Sequence, residues 1–416
     1  MMTERVVITG LGCVSPVGNS PSQAWDNLMK GISGIGEIEG FDVSEYTTRF
    51  AGQVRDFDAS EYMPAKETRK VDPFIQYGIA AGVQAVKDAG LENYEGDPAD
   101  IGVAISSGIG GIGTIGEQGT VLNARGPRKM TPHFVPATIV NMVAGHVSMM
   151  FNFQGPNFAI STACATGVHN IGIAVDMIRM GRAKIMVAGG AEQACTPLGL
   201  GGFAAARALS TRNEDPKTAS RPWDQGRDGF VMGDGAAVVV VESLESALAR
   251  GATIYAEVLG FGMSGDAYHI TAPREDGSGA QAAMRAALKD AKLDEKDFCQ
   301  SGYINAHGTS TPRGDIAEIR AMKAVFSEAE KLAISSTKSM TGHLLGAAGS
   351  LETLVVAKAL HMKQVPPTIN LENPDPECEG LDLVPHKGRD QAFKYAMSNS
   401  FGFGGTNASI LLGAVE

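Results

Sequence analysis

The order of structural signals along this chain is written twice, and that repetition limits the fold more than any single motif does. The first copy opens on an apolar stretch, Val6-Val7-Ile8-Thr9-Gly10, and a similar start recurs at Tyr255-Ala256-Glu257-Val258-Leu259-Gly260. Each is followed by a long helix. The first has Asp72 as N-cap and Pro73 at the first helical position, then Phe74, Ile75, Ile79, Val83 and Val86 at helical spacing. The second, over about 279–293, carries Met284, Ala287, Leu288 and Ala291 on one stripe. Strands then end in polar loops at 101–107 and 303–307. Next, Phe158-Ala159-Ile160 leads through 161–167 into a helix over 168–180, and Ala333-Ile334-Ser335 leads through 337–342 into a helix over 343–362. Strongly β stretches at 236–241 and 409–412 close the copies. Element order repeats at a period of roughly 200 residues while residue identity does not, which predicts a duplicated mixed α/β unit. The halves are 1–252 and 253–416; two unrelated α/β domains are the competing organisation.

Hydrophobic residues make up 44% of the 416 and charged residues 19%, ample for a buried core. The net charge of −11 argues against nucleic acid as a partner, though it leaves room for a local basic patch. The start Met1-Met2-Thr3-Glu4-Arg5 shows no signal-peptide pattern, and no apolar run reaches about 18 residues. The expectation is a cytoplasmic protein without membrane association. The five cysteines, Cys13, Cys164, Cys195, Cys299 and Cys378, are scattered and never at CxxC spacing. Neither a disulfide framework nor a metal site is expected.

Ser107-Gly108-Ile109-Gly110-Gly111-Ile112-Gly113 contains G-x-G-x-x-G directly after a strand. A dinucleotide fingerprint should open a helix and meet an acidic residue about 20 positions later, where this chain has Pro127-Arg128-Lys129. Gly10-Leu11-Gly12 lacks the third glycine. Both read as turns or pocket walls, and no cofactor is expected.

A lone cysteine is more often a small core residue than a nucleophile. Cys164 has a different setting, Ser161-Thr162-Ala163-Cys164-Ala165-Thr166-Gly167, between a strand and a helix. The positive end of the helix dipole there favours the thiolate, against an ordinary thiol pKa of about 8.5. Small neighbours let a substrate reach the sulfur. His169, five helical residues on, points about 140° away and is not its partner. His307, in Asn305-Ala306-His307-Gly308-Thr309-Ser310-Thr311-Pro312, ends a strand; His343, in Thr341-Gly342-His343-Leu344-Leu345-Gly346, starts a helix. Either alone is more often structural. In a duplicated fold, however, His343 takes the strand-to-helix junction that Cys164 takes in the first copy, so a pseudo-twofold brings cysteine and histidines together for covalent catalysis. The glycine-rich Ser400-Phe401-Gly402-Phe403-Gly404-Gly405-Thr406-Asn407 can aim an N–H at a developing oxyanion.

Ala163-Cys164, Asn305 to Thr309, Lys338-Ser339-Met340-Thr341-Gly342-His343, Asn399 to Asn407 and Arg221-Pro222-Trp223-Asp224 with Arg227-Asp228-Gly229-Phe230 resemble the β-ketoacyl-[acyl carrier protein] synthases over essentially the whole chain. Two histidines, rather than histidine and asparagine, resemble the elongating kind, nearest the synthase II type. The resemblance implies a thiolase-like fold, two βαβαβαββ halves in five α-β-α-β-α layers, and a homodimer. It implies decarboxylative Claisen condensation: acyl transfer from an acyl carrier protein to Cys164, then attack by the enolate of malonyl-carrier.

By the same resemblance Cys164 and Phe403 supply the oxyanion N–H groups, and Phe403 gates the acyl pocket with Ile109, Phe203 and Phe401. Lys338 matches the family's lysine, oriented by Glu318; Asp315 and Glu352 match its other acidic positions. Lys66, Arg69, Lys70, Arg128, Lys129 and Arg207 form a docking patch for the acidic carrier, with Thr309 and Thr311 along the pantetheine arm. Thr166, where serine is common, and Arg313 depart from the family pattern without touching a catalytic position. A polyketide-type ketosynthase, an inactive chain-length subunit and a nucleotide-dependent oxidoreductase are the other readings; the intact Cys164, His307 and His343 speak against the second.

Overall fold

The computed structural model describes residues 4–415. Met1, Met2 and Thr3, where the leader reading begins, lie outside them, as does Glu416. Among the described residues, ten strands join in one hydrogen-bonded sheet order, in two sets of five. The first set is β1 (Val6–Val14), β2 (Ile101–Ser106), β3 (Asn157–Phe158), β4 (Ile185–Glu192) and β5 (Gly235–Ser243). The second is β6 (Ala256–Gly265), β7 (Gly302–Asn305), β8 (Ala333–Ser335), β9 (Tyr395–Gly402) and β10 (Thr406–Gly413). The order is β8-β7-β9-β10-β6-β1-β5-β4-β2-β3. Every strand of the first set has the same neighbours, in the same parallel or antiparallel sense, as the strand five numbers on.

Helices follow the same rule. The principal ones are α1 (Pro73–Asp88), α2 (Ile112–Arg125) and α3 (Thr166–Arg179), then α4 (Ser278–Ala291), α5 (Gly314–Val325) and α6 (Ala348–Met362). Asp72 caps α1 by accepting the Phe74 N–H, ahead of Pro73. α1 covers the outer face of the first strand set and α4 that of the second, while α3 and α6 pack between them. These are the five layers of a thiolase-like fold. The two sheets are not separate, however: β1 and β6 pair antiparallel at Val6–Val258 and Ile8–Ala256, a three-residue seam.

The layering follows from side-chain alternation. On β5, Val239 and Val241 enter the central core with Val168, Ile171 and Val175 of α3 and Leu351, Leu354 and Val355 of α6. Val238 and Val240 point the other way, to Ile75, Ile79, Val83 and Val86 of α1. On β10, Ile410 and Leu412 face the centre and Leu411 the outer core with Met284 and Leu288. Each such fully buried side chain contributes roughly 1.5–3 kcal/mol, so a strand covered on both faces is apolar at every position, as 236–241 is.

The outer helices press on glycines. A Cβ on Gly12 would lie 2.0 Å from the Ala81 carbonyl oxygen, and one on Gly262 2.1 Å from that of Ala283. Gly10-Leu11-Gly12 and Gly260-Phe261-Gly262 are thus a repeated seat for α1 and α4. No helix among the described residues is long and apolar enough to cross a membrane.

Candidate active site

Both inner helices begin with a 3-10 turn of one shape. Ala163–Ala165 precedes α3 and Leu345–Ala347 precedes α6. Ala163 and Leu345 both sit at φ 50°, and Ala165 and Ala347 both at φ −90°. A left-handed alanine or leucine costs on the order of 1 kcal/mol, strain held by the surrounding packing. The counterpart of Cys164 is therefore Gly346. His343 does not start the helix as the sequence suggested: it follows a short helix, Lys338–Thr341, and the Leu345–Ala347 turn lies between it and α6, which begins at Ala348.

His343 still reaches the site. Its backbone is fixed by N–H donation to the Val231 carbonyl (2.7 Å) and by accepting the Gly233 N–H (2.9 Å). The Cys164 sulfur and one nitrogen each of His307 and His343 lie within 4.8 Å of one another. The two rings are 5.2 Å apart and nearly perpendicular. Leu345 N–H donates to His343 Nδ1 (3.3 Å), so in the neutral ring the proton sits on Nε2. Phe401 and Phe230 pack at 5.6 Å on His307 and His343 respectively.

Burial holds both imidazoles well below the usual histidine range, helped by the neighbouring Lys338 ammonium, so both are neutral donors. Cys164 is only 8% exposed, and burial pushes its thiol up to about 12. Lys338, the Phe403 N–H and the Cys164 N–H pull the other way. The helix terminus and burial therefore pull the thiol in opposite directions, with the Phe403 and Cys164 N–H donors already turned toward its sulfur.

The acidic residues hold this frame. Glu318 accepts the His307 and Gly308 N–H groups, both at 2.8 Å. Asp315 accepts Trp223 N–H (2.9 Å) and Ser310 N–H (3.1 Å) beside Arg227. Lys338 pairs with Glu352, not with Glu318 as its orienting group. Burial raises Glu318 and Glu352 to about 7 and Asp315 to about 6.

These groups open on a cavity of about 570 Å³ lined also by Ile109, Phe203, Phe401, Phe403, Thr309, Thr311 and Arg207. Phe403 is 40% exposed, and its ring lies 6.5 Å from that of Phe203. The Thr309 and Thr311 hydroxyls share a hydrogen bond of 3.1 Å. Lys66, Arg69, Lys70, Arg128 and Lys129 lie away from the lining, on the short helix Ala65–Thr68 and the turn Pro127–Lys129 or beside them. Lys70 is paired with Glu67 at 2.9 Å, while Lys66 and Arg69 are exposed.

Sequence reasoning missed Glu192. Fully buried at the end of β4, it lines the cavity and binds the 107–109 loop. Its signal was present: a carboxylate closing the otherwise apolar strand Ile185–Glu192. The G-x-G-x-x-G loop does open a helix, α2, but its Gly108 and Ile109 N–H groups are taken by that carboxylate, Gly110 N–H by Ser107 Oγ and Gly111 N–H by the Thr138 carbonyl.

Residues 3–247 match the family described as Beta-ketoacyl synthase, N-terminal domain, and residues 255–372 match Beta-ketoacyl synthase, C-terminal domain. The chain is 59% identical over 413 residues to 3-oxoacyl-[acyl-carrier-protein] synthase 2 of Vibrio harveyi, covering 99% of each. It is 53% identical over 416 residues to the protein of that name from Coxiella burnetii, covering 100% of each. Among solved structures it resembles a beta-ketoacyl synthase from Burkholderia phymatum STM815 (TM-score 0.92, 38% identity, 99% of this chain and 100% of that one). It also resembles a structure described as a type II PKS acyl-carrier protein in complex with its ketosynthase bound to the hexaketide (TM-score 0.90, 34% identity, 100% of both). With its cysteine, its two histidines and both matched domains, this chain belongs to the β-ketoacyl synthase family.

Proposed function

We propose that the chain is a 3-oxoacyl-[acyl-carrier-protein] synthase of fatty acid elongation, working as a cytoplasmic homodimer on acyl- and malonyl-loaded acyl carrier protein. The observation that carries this reading is the meeting of the Cys164 sulfur with two neutral imidazoles in one cavity. In the first half-reaction the sulfur attacks the acyl thioester carbonyl. Charge on that oxygen is met by the Cys164 and Phe403 N–H groups, a donor type worth about 2.7–4 kcal/mol each. The carrier's pantetheine leaves as a thiol, taking the proton that Cys164 gives up.

Malonyl-carrier then enters. Its carboxylate leaves as carbon dioxide, and the electron pair of the broken bond becomes an enolate. Neutral imidazole N–H groups at His307 and His343 suit that oxygen, because they stabilise its charge without protonating it fully. The enolate carbon attacks the acyl-enzyme carbonyl and Cys164 departs as a thiolate that takes a proton from water to return to the thiol, leaving a 3-oxoacyl chain two carbons longer. Lys338 with Glu352, and Glu318 with Asp315, support the frame and carry no proton in this scheme.

Carrier docking is assigned to Lys66 and Arg69, with Lys70, Arg128, Lys129 and Arg207 around them; an acidic partner suits a basic patch on an acidic protein. The dimer reading draws on exposed apolar side chains at Ile115, Leu122, Val135, Ile139, Met149 and Leu198. A polyketide-type ketosynthase is the second reading, favoured by the 34% identity to a ketosynthase of that kind. Relatives at 49–59% identity bearing the elongation name outweigh it. Mass spectrometry after mixing the enzyme with acyl- and malonyl-carrier decides. A 3-oxoacyl product two carbons longer supports elongation; absence of condensed product, or repeated unreduced extension, defeats it.

A further inference from the structure

Glu192 is a buried carboxylate with no lysine or arginine partner among the described ion pairs, and the reaction scheme above does not use it. Four donors converge on it: the Ser107 hydroxyl, Gly108 N–H (3.0 Å), Ile109 N–H (3.2 Å) and Gly346 N–H (3.0 Å). Ser107 Oγ in turn accepts Gly110 N–H (2.7 Å) and Ile109 N–H (3.2 Å). One side chain therefore ties the loop that carries Ile109 to the Leu345–Ala347 turn of the other half. The contact is tight, since a Cβ on Gly346 would lie 2.4 Å from the Gly108 nitrogen. Burying a carboxylate this way costs several kcal/mol, which three N–H groups and a hydroxyl offset only in one loop geometry. Ile109 lines the cavity and is 37% exposed.

We propose that Glu192 is a positioning residue for acyl-chain length: it fixes the Ser107–Gly110 loop, and through it the stance of Ile109 in the wall of the acyl cavity. This rests on the acyl-transfer reading above. A long acyl chain that packs on Ile109 benefits from a loop already in place; a short one that stops before it does not. Freeing the loop makes long chains bear the cost of ordering it.

The test compares rates of Cys164 acylation from hexanoyl- and palmitoyl-carrier, read by intact-protein mass spectrometry, for the full chain and for Glu192→Gln. The amide keeps the shape but turns an N–H₂ toward donors. The palmitoyl-to-hexanoyl rate ratio should fall about tenfold. Ser107→Ala should lower it in the same direction, and the double variant should be less than additive. If Glu192→Gln does not fold, Ser107→Ala decides alone. An unchanged ratio in a folded variant overturns the proposal. A wild-type enzyme that takes no acyl group from either carrier overturns it together with the function reading, and is told apart by that result.

Discussion

The turn at Cys164 and the turn at Gly346 have nearly the same backbone and opposite wiring. Each starts with a left-handed non-glycine residue and delivers its middle residue to the N-terminus of a helix in the central layer. At Cys164 the middle N–H points at the residue's own sulfur, with the Phe403 N–H beside it, where charge appears only during reaction. At Gly346 the middle N–H is permanently occupied by the Glu192 carboxylate. Duplication supplied two turns of one shape; one serves a transient oxyanion and the other holds the Glu192 carboxyl, which burial raises to about 7. The nucleophile is thus confined to the first copy, while both histidines come to it from the second.

Five measurements would break or sharpen that contrast, taken from the largest expected effect. Cys164→Ala should abolish acyl-enzyme formation and condensation, because the second turn offers no nucleophile; an acyl mass on Cys13, Cys195, Cys299 or Cys378 would sink the idea. His343→Ala should cost malonyl decarboxylation about 10²–10⁴-fold while sparing Cys164 acylation far more. Equal losses in the two half-reactions would point to a structural role instead.

The pH dependence of decarboxylation comes third. Folded His307 and His343 titrate well below an ordinary histidine, near 6.5, so they stay neutral as pH falls through that value. Their folded pKa is depressed, so the unfolded chain takes up protons first and stability drops as pH goes below about 6.5. The expected outcome is a decarboxylation rate flat from pH 8 to pH 6 in protein that remains folded, within about twofold. A fall centred near 6.5 that persists in Glu318→Gln and in Glu352→Gln, which remove the two site carboxyls that burial raises to about 7, would show a histidine that must titrate normally.

Ile109→Phe should shorten the longest acyl chain accepted, since a rigid ring overpacks a cavity at about 1–3 kcal/mol, while short-chain acylation changes little. An unchanged cutoff would mean that the pocket ends elsewhere. Smallest, Lys66→Glu with Arg69→Glu should raise the carrier's apparent KM several-fold and flatten its salt dependence, with pantetheine-only substrates little affected. Equal harm to both substrates would remove the patch from carrier docking.

Much of this was legible before any coordinates. Element order was, because buried strands and capped helices leave periodic signals: Asp72-Pro73 marked the start of α1, and the apolar run at 236–241 marked a strand covered on both faces. The register of the duplication was not. Lys338–Thr341 is a single short turn of helix without periodicity, so His343 looked like the partner of Cys164 when Gly346 is. A glycine announces nothing about the carboxylate bound to its N–H. The pairing of Lys338 with Glu352 rather than Glu318 depends on which face of α6 meets the lysine, a tertiary fact. The thiol's protonation turned on a contest between helix dipole and desolvation that sequence could name but not weigh.

The seam between the sheets has a consequence for how the chain is made. β1 finds its partners at Ser243 and Val258, so nothing near it in sequence completes its ladder. At roughly 5–20 residues per second, a ribosome would take on the order of 10–50 s to deliver them. For that interval the nascent chain presents Val6-Val7-Ile8 as an apolar strand with both edges open, the kind of segment that pairs with whatever comes first. Gly10, Gly12 and the polar Thr9 interrupt its apolar run, and so the residues that later seat α1 also make the waiting strand a poorer template for aggregation.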